Sequence, residues 1–158
     1  MVAHPLSPIF DSSSHTLILG SFPSVRSREV GFYYGHPKNR FFRVIAALYQ
    51  KELPKTDEEK RALLLSSGLA LWDVIASCEI TGSADSSIKN VRVNDMASLL
   101  GQAPIKRIFL NGKTAAKYYE KYLKGSLGIE ATVLPSTSPA NAAYSFDKLL
   151  DAWRAIVR

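Results

Sequence analysis

Short apolar runs and stretches of helical periodicity alternate along this chain. Thr16 to Leu19 is a short apolar run that stops at Gly20, a strand signal. From Phe41 to Tyr49 the positions Phe41, Phe42, Ile45 and Leu48 recur at helical spacing. Thr56, followed by Asp57, Glu58 and Glu59, reads as an N-cap with acids in the first turn. The helix it opens runs through Leu63, Leu64 and Leu65 and stops at Gly68. The apolar stretch Leu69 to Ile75 fits strand or helix. Asn94-Asp95 opens a short helix through Leu100. Arg107 to Leu110 carries a buried-strand signal, and Asn111-Gly112 leads into a helix over Lys113 to Leu123. Ala131 to Leu134 is a further strand, and Pro135 to Asn141 is a loop. The pattern predicts a last helix from Ala143 to Val157, with Phe146, Leu149, Leu150 and Trp153 on one face.

Short apolar strands separated by helices indicate a parallel sheet covered on both faces. The expected fold is therefore α/β, a three-layer α/β/α sandwich with a central, mostly parallel four-stranded sheet. No repeat, low-complexity tract or linker divides the sequence, so residues 1–158 are expected to form a single domain. Ligands of such sheets bind outside the carboxyl ends of the strands. Three segments follow strands directly: Gly20 to Ser24, Asn111-Gly112, and Pro135 to Asn141. They should lie together on one edge and form the site.

Composition narrows the classes of function. With 46% hydrophobic and 22% charged residues the chain has the balance of a globular protein, which argues against disorder. A net charge of +6 makes a polyanion such as DNA or RNA a reasonable partner. The single cysteine, Cys78, rules out an internal disulfide and a cysteine-held iron–sulfur cluster. His4, His15 and His36 lack the spacing of a zinc site. No metal or cofactor is expected. No run approaches the ~20 apolar residues of a membrane span, and no signal peptide is visible, so the expected location is the cytoplasm.

The chemistry concentrates after the first strand. Gly20-Ser21-Phe22-Pro23-Ser24 is followed by Gly31-Phe32-Tyr33-Tyr34-Gly35-His36-Pro37-Lys38-Asn39-Arg40-Phe41-Phe42. One reading is a turn with a buried aromatic cluster. The other is a base-stacking loop, since aromatic rings interleaved with basic groups suit a base beside a phosphate.

A strand ending in Gly-x-x-Pro, a downstream His36-Pro37-Lys38-Asn39-Arg40-Phe41-Phe42 and the later Pro135-Ser136-Thr137-Ser138 resemble the mismatch-specific and thymine-type members of the uracil-DNA glycosylase superfamily. Leu71-Trp72-Asp73-Val74 and Gly82 to Ile88 resemble family segments too, and the similarity runs from about Leu17 to Trp153. In those relatives the third residue of the first loop is an Asn or Asp that positions the attacking water. Here it is Phe22. The hypoxanthine-DNA (deoxyinosine) glycosylase branch, which the chain resembles most, also lacks that polar residue.

By this resemblance the catalytic residue is Asn39, a water-positioning amide, while the residue reading alone also allows an N-cap for the helix starting near Arg40. The resemblance makes Asn111 a reader of the flipped base; an N-cap is its alternative. Phe22 and Tyr34, with Ser21 and His36, complete the expected base pocket, while Phe32 could equally be core. Ser24, Lys38, Arg40, Ser136, Thr137, Ser138 and Asn141 are the expected DNA contacts, and a plain surface turn is the alternative for the last four. Lys113, Lys117, Lys121 and Lys124 recur along one helix and read as a solvated face.

The expected activity is that of a monofunctional DNA glycosylase, monomeric and metal-free, that hydrolyses the N-glycosidic bond of a flipped deaminated base, hypoxanthine first. Its partner is double-stranded DNA with a damaged or mismatched base, or single-stranded DNA. The rivals are a uracil/thymine glycosylase acting at G mismatches, a non-catalytic binder of damaged DNA and, more weakly, a nucleoside hydrolase.

Overall fold

A computed structural model describes residues 1–158. In chain order its elements are β1 (Val2–Ala3), β2 (Thr16–Gly20), α1 (Val25–Val30), α2 (Phe41–Leu48), α3 (Asp57–Ser66), β3 (Leu69–Asp73), β4 (Ile75–Glu79), β5 (Lys89–Val93) and α4 (Met96–Leu100). There follow β6 (Arg107–Asn111), α5 (Lys113–Tyr122), α6 (Lys124–Leu127), β7 (Ala131–Leu134) and α7 (Phe146–Trp153), with short 3-10 turns at Asp85–Ser87 and Arg154–Val157.

All five residues of β2 are buried because this strand lies inside a four-stranded sheet of order β3-β2-β6-β7. Every pairing in that sheet is parallel. The period-two alternation of β2 separates two cores. Ile18 joins Leu69, Leu71, Phe109, Phe41, Ile45 and Trp153 under α2, α3 and α7. Leu17 and Leu19 join Ala70, Ile108, Leu110, Met96, Leu99 and Tyr119 under α4 and α5. The expected three-layer α/β arrangement is thus present, and the central sheet is wholly parallel. Fully buried side chains the size of Phe41 and Leu64 each contribute ~2–3 kcal/mol through apolar burial.

Three local features depart from the sequence pattern. The ambiguous stretch Leu69 to Ile75 is a strand that ends at Asp73. The chain then enters a second, antiparallel sheet of order β1-β4-β5, which the sequence pattern did not predict. The segment after Gly20, expected as a loop, contains α1, which Ser24 caps by accepting from the Ser27 amide at 3.1 Å. The last helix begins at Phe146 rather than Ala143. Ser145 is extended and caps it through the Lys148 amide, while the Tyr144 carbonyl is held by Arg40. Thr56 caps α3 as expected, accepting from Glu59 at 3.1 Å.

Sheet register positions the site. Gly20 pairs with Asp73 and Leu19 with Leu110, so Gly20, Asp73 and Asn111 share the carboxyl edge of three adjacent strands.

Candidate active site

A cleft of about 520 Å³ opens over that carboxyl edge. It is lined by the three expected loops together with the Tyr33–Asn39 segment and the Ile80–Asp85 loop. The expected residues Ser21, Phe22, Tyr34, His36, Asn39 and Asn111 all line it, as do Ser24, Ser136, Thr137 and Ser138. Lys38, Arg40 and Asn141 do not.

Asn39 is half-buried. Its Oδ1 accepts from the Phe41 amide at 2.9 Å, closing the first turn of α2, whose boundary residue Arg40 makes no side-chain cap. The capping alternative is therefore real, but it uses one lone pair of the amide oxygen. The other lone pair and the amide nitrogen have no protein partner and border the cleft.

Asn111 is buried at the end of β6. Its Oδ1 accepts from the Thr137 amide, and its Nδ2 donates to the Tyr34 hydroxyl and to Thr137 Oγ1, all at 3.0 Å. Both amide hydrogens are spent inside the protein, leaving none to offer a base. Asn111 clamps the Pro135–Asn141 segment to the sheet. Gly112 beside it has φ +99°, and a Cβ there would stand 3.1 Å from Ser136 Cβ, so the close approach of the two loops requires glycine.

Four expected DNA contacts have internal duties instead. Thr137 is fully buried on Asn111. Arg40 donates to the carbonyls of Tyr144 at 2.6 Å and Asn141 at 3.1 Å, while the Asn141 amide donates to the Ser136 carbonyl. The Ser24 hydroxyl both caps α1 and donates to Ser27 Oγ. These hydrogen bonds brace the cleft wall. Ser136 and Ser138 hydroxyls accept from backbone amides within the loop and keep their own hydrogens free. Lys38 is exposed beside the cleft, and its backbone amide donates to His36 Nδ1.

The aromatic residues divide between pocket and core. Phe32 is buried in the α2–α7 core. Tyr34 adopts φ +53°, the left-handed region that L-residues rarely occupy. It is held there by stacking on Phe41, with ring centroids 4.3 Å apart, and by its bond to Asn111. Phe22 is half-buried against the Arg28 guanidinium and the His4 ring.

The sequence reading missed Asp73 and His4. Asp73 is 4% exposed and lines the cleft, and its Oδ2 lies 2.8 Å from His4 Nε2. Its Oδ1 has no protein partner and lies so close to Gly20 that a Cβ there would approach it to 2.4 Å. Only glycine at position 20 leaves this oxygen open. A lone acid closing an otherwise apolar strand was the available signal; its histidine partner, 69 residues away, carried none.

Burial pushes the Tyr33 and Tyr34 hydroxyls far above the usual phenol range, and the Asp73 charge adds to this. The Asn111 hydrogen bond pulls Tyr34 partly back. Both residues are phenols at working pH. In the unfolded chain they ionise near pH ~10, so above that pH the folded state holds more protons and stability falls as pH rises. The stabilisation is complete below the unfolded pKa and is lost progressively above it. Denaturant midpoints should therefore decline from about pH 10 upward, and Tyr33→Phe should make the decline shallower. Tyr33 is suited to this test because its hydroxyl bonds only the Ser7 carbonyl.

No three His, Cys, Asp or Glu side chains converge in the structure. No helix is long and apolar enough to cross a membrane.

The profile of the uracil DNA glycosylase superfamily matches residues 8–157. The chain belongs to this superfamily. Its relatives include a protein of Methanosarcina acetivorans named hypoxanthine DNA glycosylase, 34% identical over all of this chain and 99% of that one. A Methanosarcina barkeri protein of the same name is 34% identical over 85% of both chains. A solution NMR structure from Methanosarcina acetivorans, assigned provisionally as a uracil DNA glycosylase, superposes with a TM-score of 0.83 at 32% identity over both whole chains. The superfamily is one of DNA glycosylases, hydrolases of N-glycosyl bonds whose substrate is DNA, as the motif order implied.

Proposed function

We propose that this superfamily member is a monofunctional glycosylase that releases hypoxanthine, the product of adenine deamination, from duplex DNA. It acts as a cytoplasmic monomer without a metal. The observation that carries the reading is that a free carboxylate oxygen on Asp73 and the Tyr34 hydroxyl both border the space beside Gly20 in the cleft.

Tyr34 Oη accepts from Asn111 and so keeps its own hydrogen to donate, while the Asp73 oxygen can only accept. Donor beside acceptor complements the O6 carbonyl and N1–H of hypoxanthine. Adenine presents the reverse pattern, an amino donor and a bare N1. Phe22 supplies a ring at the pocket wall, and stacking contributes ~1–3 kcal/mol per base. Similarity to two proteins named hypoxanthine DNA glycosylase, one over the full length and one over 85% of it, supports the same choice.

Cleavage places positive charge on the sugar and negative charge on the departing base. Asn39, with a free lone pair and free amide hydrogens at the cleft, orients the water that attacks the sugar. The Tyr34 hydroxyl, kept protonated by burial, donates to the base as it gains charge. Ser136, Ser138 and His36 at the cleft, with the exposed Lys38, are assigned to phosphates, contacts that position without reading sequence. Rotating the base out of the duplex costs least for a mispaired or damaged base, which favours hypoxanthine over paired bases before the pocket is reached. Uracil and thymine share the carbonyl/N–H edge, so side-by-side release assays on all three bases test the reading.

A further inference from the structure

The two-residue strand β1 pairs with β4, Val2 with Cys78 and Ala3 with Ser77, and the His4 amide then donates to the Ala76 carbonyl at 2.7 Å. This arm carries the His4 ring to Asp73, behind the cleft lining, where its side chain is 2% exposed. The Leu6 backbone amide points at His4 Nδ1 at 3.2 Å. An amide N–H can only donate, so Nδ1 is the accepting nitrogen and the ring proton sits on Nε2. That Nε2–H donates to Asp73 Oδ2 at 2.8 Å. Phe22, edge-on at 5.9 Å, and Tyr33 at 6.1 Å hold the ring plane.

We propose that His4 is a positioning residue for base selection: a neutral Nε2–H donor that pins one oxygen of Asp73 and leaves the other free to accept the ring N–H of the base. The inference rests on the assignment of Asp73 to base recognition above. Its consequence is specificity. A carboxylate held by a neutral donor is an acceptor only and cannot present a donor by turning, as an amide can. It favours a base whose N1 carries hydrogen and opposes adenine, whose N1 lone pair would face it. Without the His4 donor the carboxyl group is free to rotate, and the acceptor that opposes adenine is no longer held against the base.

The test compares the wild type with His4→Phe, which fills the space without a donor, and His4→Gln, which restores an N–H near the Nε2 position. Single-turnover base release is measured on duplexes carrying hypoxanthine or adenine, and duplex affinity is measured separately. His4→Phe should release hypoxanthine about 10- to 100-fold more slowly, with the dissociation constant within about threefold of wild type. Its preference for hypoxanthine over adenine should fall about tenfold or more, and His4→Gln should recover most of both losses. Long-range ¹H–¹⁵N correlation on the wild type gives a readout independent of activity and of variant folding, and should show His4 as the Nε2–H tautomer. Wild-type rate and preference in His4→Phe, or an Nδ1–H tautomer, would overturn the proposal. If the wild type releases no base from any duplex, it is the glycosylase reading that fails, and the tautomer still judges the geometry.

Discussion

Replacing Asn39 with alanine is expected to slow single-turnover release of hypoxanthine by ~10²-fold while duplex affinity stays within about threefold. One lone pair of the Asn39 side-chain oxygen closes the first turn of α2 on the Phe41 amide, which fixes the amide plane. The rest of the group borders the cleft, so a water held there is oriented without any rotamer search. An amide has no useful pKa, and its contribution is therefore orientation, which sets the size of the expected loss. The same truncation removes a cap and should cost about 1 kcal/mol of stability. Asn39→Asp separates the two roles, because a carboxylate still accepts from Phe41 and can still hold water. It should keep wild-type stability and recover much of the rate. If Asn39→Ala releases base at the wild-type rate, the residue is a cap and nothing more.

Asn111→Ala is expected to act on the scaffold. It removes three hydrogen bonds and leaves the Thr137 amide, in a fully buried residue, without a partner. Each buried group so orphaned costs ~1–3 kcal/mol, which gives a loss of about 2–4 kcal/mol and a fall in Tm on the order of 10 °C. Duplex affinity should drop with it, because the Pro135–Asn141 segment loses its tie to β6. Trp153 Nε1 on the Pro135 carbonyl and Arg40 on the Asn141 carbonyl remain as its only other side-chain anchors to the body, so the loop shifts but stays attached. Thermal melts and duplex titrations check both effects. A variant that melts at the wild-type temperature yet fails in catalysis would return Asn111 to the base-reading role that the family resemblance suggested.

The contrast between these residues shows what the sequence discloses. The strands β2 and β6 are legible because a strand buried on both faces must be apolar throughout. The edge strand β7, with Thr132 and Val133 exposed, is legible because it is short and β-branched, and α2 and α3 because spacing and capping residues mark them. The carboxyl-edge rule then brings the three loops together without any structure. The second sheet leaves no such trace. β5 reads Lys-Asn-Val-Arg-Val with its polar residues exposed, and β1 is only two residues long. Helix α1, with three charged residues in six, has no apolar stripe to announce it.

In the site, the sequence identifies polar groups but not their partners. Arg40, Thr137 and Asn141 are legible as polar loop residues, but not their hydrogen bonds to carbonyls and to Asn111, which only the structure shows. Asp73 and His4 look like a strand end and a terminal residue until the fold places them 2.8 Å apart. Long-range polar pairing is what patterning along a chain cannot carry.

The most direct test of the account is base release from matched duplexes carrying one hypoxanthine, uracil, thymine or adenine, read as alkali-labile strand breaks. The account predicts fast release of hypoxanthine, slower release or none of the two pyrimidines, and intact adenine. Release of adenine at a rate like that of hypoxanthine, or binding to every duplex with no base released, would contradict it.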